Sequence, residues 1–127
     1  MLKIKDNHLT VCAAGMPSAL IYRSSTKTVE EISIKAMPLG SIANFPYKKQ
    51  EFTLAAGDAV LLMSDGFPEM FNEADETLGF DEAARILPAV ADGSPQQIIN
   101  HLVEAGEKWA NGRPQDDDVT FVVLKVV

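Results

Sequence analysis

The chain has 127 residues, 46% of them apolar and 23% charged, with a formal charge of −7, the size and mix of one globular domain that can bury a core. That acidity excludes a nucleic-acid surface and a basic membrane patch, since both need positive charge. One cysteine, Cys12, excludes an intrachain disulfide, and no apolar run approaches the length that crosses a bilayer; the expectation is a soluble, cytoplasmic domain.

The first half reads as strands. "LKIK" (2–5) and "HLTVC" (8–12) flank Asp6-Asn7, a pair that tolerates left-handed backbone and so predicts a tight hairpin. "ALIYR" (19–23) follows the turn-like "AGMPS", and "VEEISI" (29–34) alternates as a half-buried strand does. "MPLGSI" is punctuation around Pro38 and Gly40. "KKQEFTL" (48–54) puts Phe52 and Leu54 on one face, Gly57-Asp58 reads as a turn, and "AVLLM" (59–63) is short and apolar enough for a strand buried on both faces.

The second half changes period. "FDEAARILPAV" (80–90) has helical spacing at Ala83, Ile86, Leu87 and Val90, with Pro88 expected to end or kink it. In "GSPQQIINHLVEAGEKWAN" (93–111), Ser94 can cap, Pro95 suits the first helical position and Gln97 completes a capping box. Ile98, Ile99, Leu102, Val103 and Trp109 form its apolar stripe. "NGRPQDDD" is a loop and "VTFVVLKVV" (119–127) a β-branched strand. Strands, then two helices, then a strand predict an α+β layered fold in a single domain, 1–127.

Two acidic clusters flank the two most apolar strands. Asp65 follows "AVLLM", and Asp116-Asp117-Asp118 precedes "VTFVVLKVV". If these strands are antiparallel neighbours, about 4.8 Å apart, the carboxylates fall at one sheet edge, where oxygen-only ligands suit Mg²⁺ or Mn²⁺ better than Zn²⁺. The other reading is local: Asp-Gly after a strand is a common turn, and acidic triplets in loops are usually solvated. Glu69, Glu73, Asp75 and Glu76 read as an exposed acidic connection. His8 and His101 are isolated, and Ser18, Ser24 and Ser25 lack an activating partner.

"CAAGMPSALIY", "MPLGSI", "AAGDAVLLMSDGFPEMFNEADETLGFDE" and "QDDDVTFVVLKV" occur in that order. Together they resemble the C-terminal half of the metal-dependent serine/threonine phosphatase family (PPM, type 2C), in its SpoIIE/RsbU branch. The resemblance implies a partial antiparallel β-sandwich with two helices packed on it, part of an α-β-β-α domain with a dinuclear Mn²⁺/Mg²⁺ site at one edge. It makes Asp65 and Asp117 metal ligands, with the adjacent Asp118 a third candidate. In such a site a metal-activated water attacks phosphorus and the cations neutralise phosphoryl charge. The implied partners are a phosphorylated STAS-type (anti-anti-sigma) protein and an upstream sensor or receiver domain.

Two departures qualify what the resemblance implies. Met16 stands where the family has His, and Ser18 where it has Pro. The Asp-Gly pair whose Asp bridges the two metals has no counterpart, since Asp6 is the only acid before "CAAG". The expectation is therefore a C-terminal portion of a phosphatase domain, inactive alone and weak or lacking in metal binding; the alternative is a non-catalytic partner-binding module (a pseudophosphatase). Unpaired strand edges further predict self-association.

Overall fold

A computed structural model describes residues 1–127. Asp6 and Asn7 take left-handed backbone, φ 49° and 61°, as a two-residue type I′ hairpin requires. They join β1 (Leu2–Lys5) to β2 (His8–Val11), whose other edge pairs with β5 (Gln50–Thr53). A second antiparallel sheet contains β3 (Ala19–Arg23), β4 (Thr28–Ile32), β6 (Ala59–Met63) and β7 (Phe121–Lys125), in the order β4-β3-β6-β7. The chain between β6 and β7 holds α1 (Phe80–Val90) and α2 (Pro95–Ala110). The predicted strands at 29–34, 48–54 and 119–127 are each shorter than read, although backbone bonds continue past two of them, from Leu54 N to Asn7 O and from Val126 N to Asp58 O.

The four-stranded sheet is the middle of three layers. Leu20, Tyr22, Leu61 and Met63 pack on one face against Leu87, Ile98 and Leu102 of the helices. Ile21 and Val60 pack on the other against Leu9, Val11 and Leu54 of the first sheet. Burial on both faces explains why β3 and β6 read as continuous apolar runs rather than alternating ones. The outward face of the first sheet carries Lys3, Lys5, His8 and Glu51, all exposed. The fold is thus α+β as predicted, a sandwich with both helices on one side.

Pro88 neither ends nor breaks α1 at its own position. It lies in the last turn, where its missing N–H costs one bond, and the helix runs on to Val90. The end is held instead by Lys125, whose Nζ donates to the carbonyls of Ala91, Asp92 and Gly93 at 2.9, 2.9 and 2.7 Å, a cation at a helix C-terminus. In α2 the capping box forms: the Ser94 side chain accepts from Gln97 N, and Gln97 Oε1 accepts from Ser94 N. The stripe is narrower than read. Ile98, Leu102 and Gly106 are buried, while Val103 is exposed. No helix is long and apolar enough to cross a membrane.

Asp58 is not a simple turn residue. It is buried where the chain crosses from β5 to β6. Its carboxylate accepts from Ser24 N (2.9 Å), Ala55 N (3.0 Å) and Arg23 Nη1 (3.2 Å). Arg23 also donates to Thr53 O in the first sheet and to Glu30 in the second, so this group ties both sheets together. Burial alone would raise the Asp58 pKa, but the bonds from Ser24, Ala55 and Arg23 outweigh it and hold the group below the ordinary carboxylate value.

Candidate functional site

Strands β6 and β7 are antiparallel neighbours with Met63 opposite Phe121, so the chain leaving one and entering the other meet at one end of the middle sheet. Ser64 stitches them together. Its N–H donates to Thr120 O (3.0 Å), its hydroxyl donates to Asp118 O (3.1 Å), and its Oγ accepts from Thr120 N (2.9 Å). The chain then turns, with Glu69 N donating to Asp65 O at 2.9 Å. Below the turn Phe67 is buried and meets Phe121 edge-on at 5.0 Å between centroids.

Gly66 sits against the backbone of the acidic triplet. A Cβ there would overlap the Asp118 carbonyl oxygen and lie 3.0 Å from its carbon. The obstacle is main chain, which cannot rotate away as a side chain can. Gly66→Ala is therefore expected to cost about 1–3 kcal/mol, the usual range for overpacking, and to push the Asp65 turn away from Asp117-Asp118. Thermal unfolding checks this; an unchanged Tm would mean that the two segments are free to separate.

Asp65, Asp117 and Asp118 are all exposed at this one end. Asp117 Oδ1 accepts from Asp118 N at 2.7 Å. Arg113, the nearest cation in sequence, is committed elsewhere. It binds Asp75 (2.5 Å), Asp116 (3.5 Å) and Asn72 O (2.9 Å) and lies 5.0 Å from the Phe71 ring centroid. The first acid of the triplet is thereby paired, while Asp65, Asp117 and Asp118 form no ion pair. Asp65 makes no side-chain hydrogen bond either. The bonds that fix this corner come from Ser64, Asp117 and the backbone, so the carboxylate of Asp65 is not what shapes its turn.

Beside this edge, Gly66, Glu69, Gln115, Asp116 and Asp117 line a small cleft of about 80 Å³. Glu69, expected in an exposed connection, is exposed but faces the same cleft as Asp117. In kind, oxygen-only unpaired carboxylates suit a hard divalent cation. In number they fall short: no three His, Cys, Asp or Glu side chains converge to hold a metal ion. The residues that sequence reasoning missed are Ser64, which holds the two segments in register, and Gly66, whose lack of a side chain permits the approach. The "SDG" triplet itself was the available signal.

The family model for Stage II sporulation protein E (SpoIIE) matches residues 1–127. Phosphoserine phosphatase RsbU of Bacillus subtilis (strain 168) is 26% identical over 124 residues, covering 94% of this chain and 36% of RsbU. The Mn-presoaked phosphatase domain of SpoIIE from Bacillus subtilis superposes with a TM-score of 0.76 at 21% identity, covering 99% of this chain and 55% of that one. The SiaA-PP2C domain of Pseudomonas aeruginosa gives 0.81 at 24% identity, over 95% and 47% of the two chains. These structural likenesses bear on the fold. The chain spans about half the length of these solved domains and about a third of RsbU.

Proposed function

Since the chain belongs to the SpoIIE family and has the fold of a PP2C-type phosphatase domain, we propose that it is part of a Mn²⁺- or Mg²⁺-dependent protein phosphatase acting on phosphoserine or phosphothreonine. Its contribution is the carboxylate edge: Asp65 and Asp117 as metal ligands, with Asp118 beside them. The observation that carries this reading is the Ser64–Thr120 and Gly66–Asp118 junction, which sets unpaired carboxylates from two strands at one exposed sheet end. A bound cation would activate water and neutralise phosphoryl charge. The residues of this chain supply part of its oxygen ligands, and the remainder come from outside these 127 residues.

The partner we propose is a phosphorylated STAS-type protein, by analogy with the SpoIIE/RsbU branch, with a sensor or receiver domain upstream. RsbU is named a phosphoserine phosphatase, which supports the substrate class. The test is a phosphopeptide assay on a longer chain that includes this one. Turnover should require Mn²⁺, vanish on chelation and return on adding the metal back, and the 127 residues alone should be silent. Absence of metal-dependent turnover in the longer chain would move the reading to a non-catalytic module, whose partner binding, measured by calorimetry, should survive chelation.

A further inference from the structure

Two left-handed residues, Asn111 at φ 49° and Gly112 at φ 88°, end α2, and Arg113 N closes the stop on Ala110 O at 3.0 Å. Around this stop, every second side chain reaches the segment that follows Asp65. Trp109 Nε1 donates to Met70 O (3.2 Å), Asn111 Nδ2 to Glu73 Oε2 (3.0 Å) and Arg113 Nη1 to Asn72 O (2.9 Å). The turn they grip is itself closed. Asn72 Oδ1 accepts from Ala74 N and Glu76 N at 2.9 and 3.0 Å, and Phe71 bridges to Thr77. Every partner in this clasp belongs to the 127 residues, so none of it depends on which surfaces the rest of a longer protein covers.

Arg113 reaches further than the other two. Its guanidinium also binds Asp75 and Asp116 and lies over the Phe71 ring. The small cleft at the carboxylate edge takes Gly66, Glu69 and Phe71 from the segment after β6, and Gln115, Asp116 and Asp117 from the segment before β7. Arg113 therefore holds a residue of each wall, Phe71 and Asp116. On the first wall, the bonds from Glu69 N to Asp65 O and from Met70 N to Phe67 O carry that hold back to Asp65. On the second, Asp116 adjoins Asp117. Ser64 and Gly66 join the two segments at the sheet, and Arg113 joins them a second time farther out.

We propose that Arg113 is a positioning residue for the cation assigned to Asp65 and Asp117, its planar fork setting the separation of the two segments that carry them. The proposal rests on the phosphatase reading above. Charge alone argues the other way, because a guanidinium near a cation site repels the cation, and its removal would tighten binding. Through water and salt that repulsion is small. Loss of an outer partner that orients a metal ligand costs about 10–100-fold in affinity. Position and charge therefore predict opposite signs for the same substitution.

Calorimetric titration of Mn²⁺ into a longer chain that includes this one tests it. Arg113→Gln should weaken Mn²⁺ binding about tenfold while leaving the unfolding temperature within about 4 °C of wild type, as loss of exposed ion pairs does. Arg113→Lys keeps the charge and loses the fork, and it should weaken binding in the same way. In the phosphopeptide assay, the Mn²⁺ needed for half-maximal turnover should rise in step, with turnover at saturating Mn²⁺ near the wild-type level. Should both variants unfold, Asp75→Asn, at a side chain 81% exposed, removes one arm of the clasp and should shift the affinity in the same direction. Equal or tighter Mn²⁺ binding by Arg113→Gln, or wild-type binding by Arg113→Lys, would overturn the positioning role and leave the phosphatase reading standing. A wild-type longer chain that binds no Mn²⁺ would overturn both.

Discussion

Asp65→Asn, placed in an active longer phosphatase containing this chain, should lower metal-dependent turnover by roughly two to three orders of magnitude while leaving stability within about 0.5 kcal/mol. The rate loss follows from removing one charged ligand of a cation whose transition-state stabilisation is worth several kcal/mol, each 1.36 kcal/mol being tenfold. The small stability effect follows from the structure, because the Asp65 side chain takes no part in the bonds that hold its corner. Those are made by Ser64 and by the backbone, and exposed substitutions away from such features rarely matter. Asn keeps the shape and the turn preference. Full activity would refute the ligand assignment. A loss of stability that tracks the loss of rate would return Asp65 to the role of a structural turn residue.

The two predicted outcomes separate because local and non-local information were separate from the start. Element types were legible wherever pattern and capping agreed. The Asp6-Asn7 hairpin, the double-faced burial of "AVLLM" and the Ser94–Gln97 box all follow from short-range chemistry. The neighbour relation of β6 and β7 was a supposition that the sheet order supports. What a short window could not display was the close approach of Gly66 to the main chain of Asp118, since that depends on two segments more than fifty residues apart in sequence. The same limit hid Asp58. "AGDA" has the composition of a turn, and only the arrival of Arg23 and Ser24 turns it into an anchor. Pro88 shows the converse, in that a strong local breaker in the final turn does not end the helix at its own position.

Asp58→Asn should destabilise the fold by about 3 kcal/mol at neutral pH, the lower part of the range for breaking a buried ion pair, because Arg23 retains 23% side-chain exposure and can recruit water. The carboxylate is nearly all covered and accepts from four donors on Arg23, Ser24 and Ala55. An amide must turn its NH₂ toward one of them, leaving a buried donor facing a donor. The pH dependence has a definite sign. The folded pKa of Asp58 lies below its ordinary value, so in acid the unfolded state takes up the proton first and stability falls as pH falls. The contribution is complete above the ordinary carboxylate pKa of about 3.9 and is lost as pH drops through the lower folded value. Urea titrations from neutral pH into that acid range should therefore show a steeper loss for the wild type than for Asp58→Asn, the two curves converging at the acid end. Parallel curves would mean that Asp58 is not the group that acid releases, and a penalty under about 1 kcal/mol would mean that the junction between the two sheets is held by packing rather than by this charge.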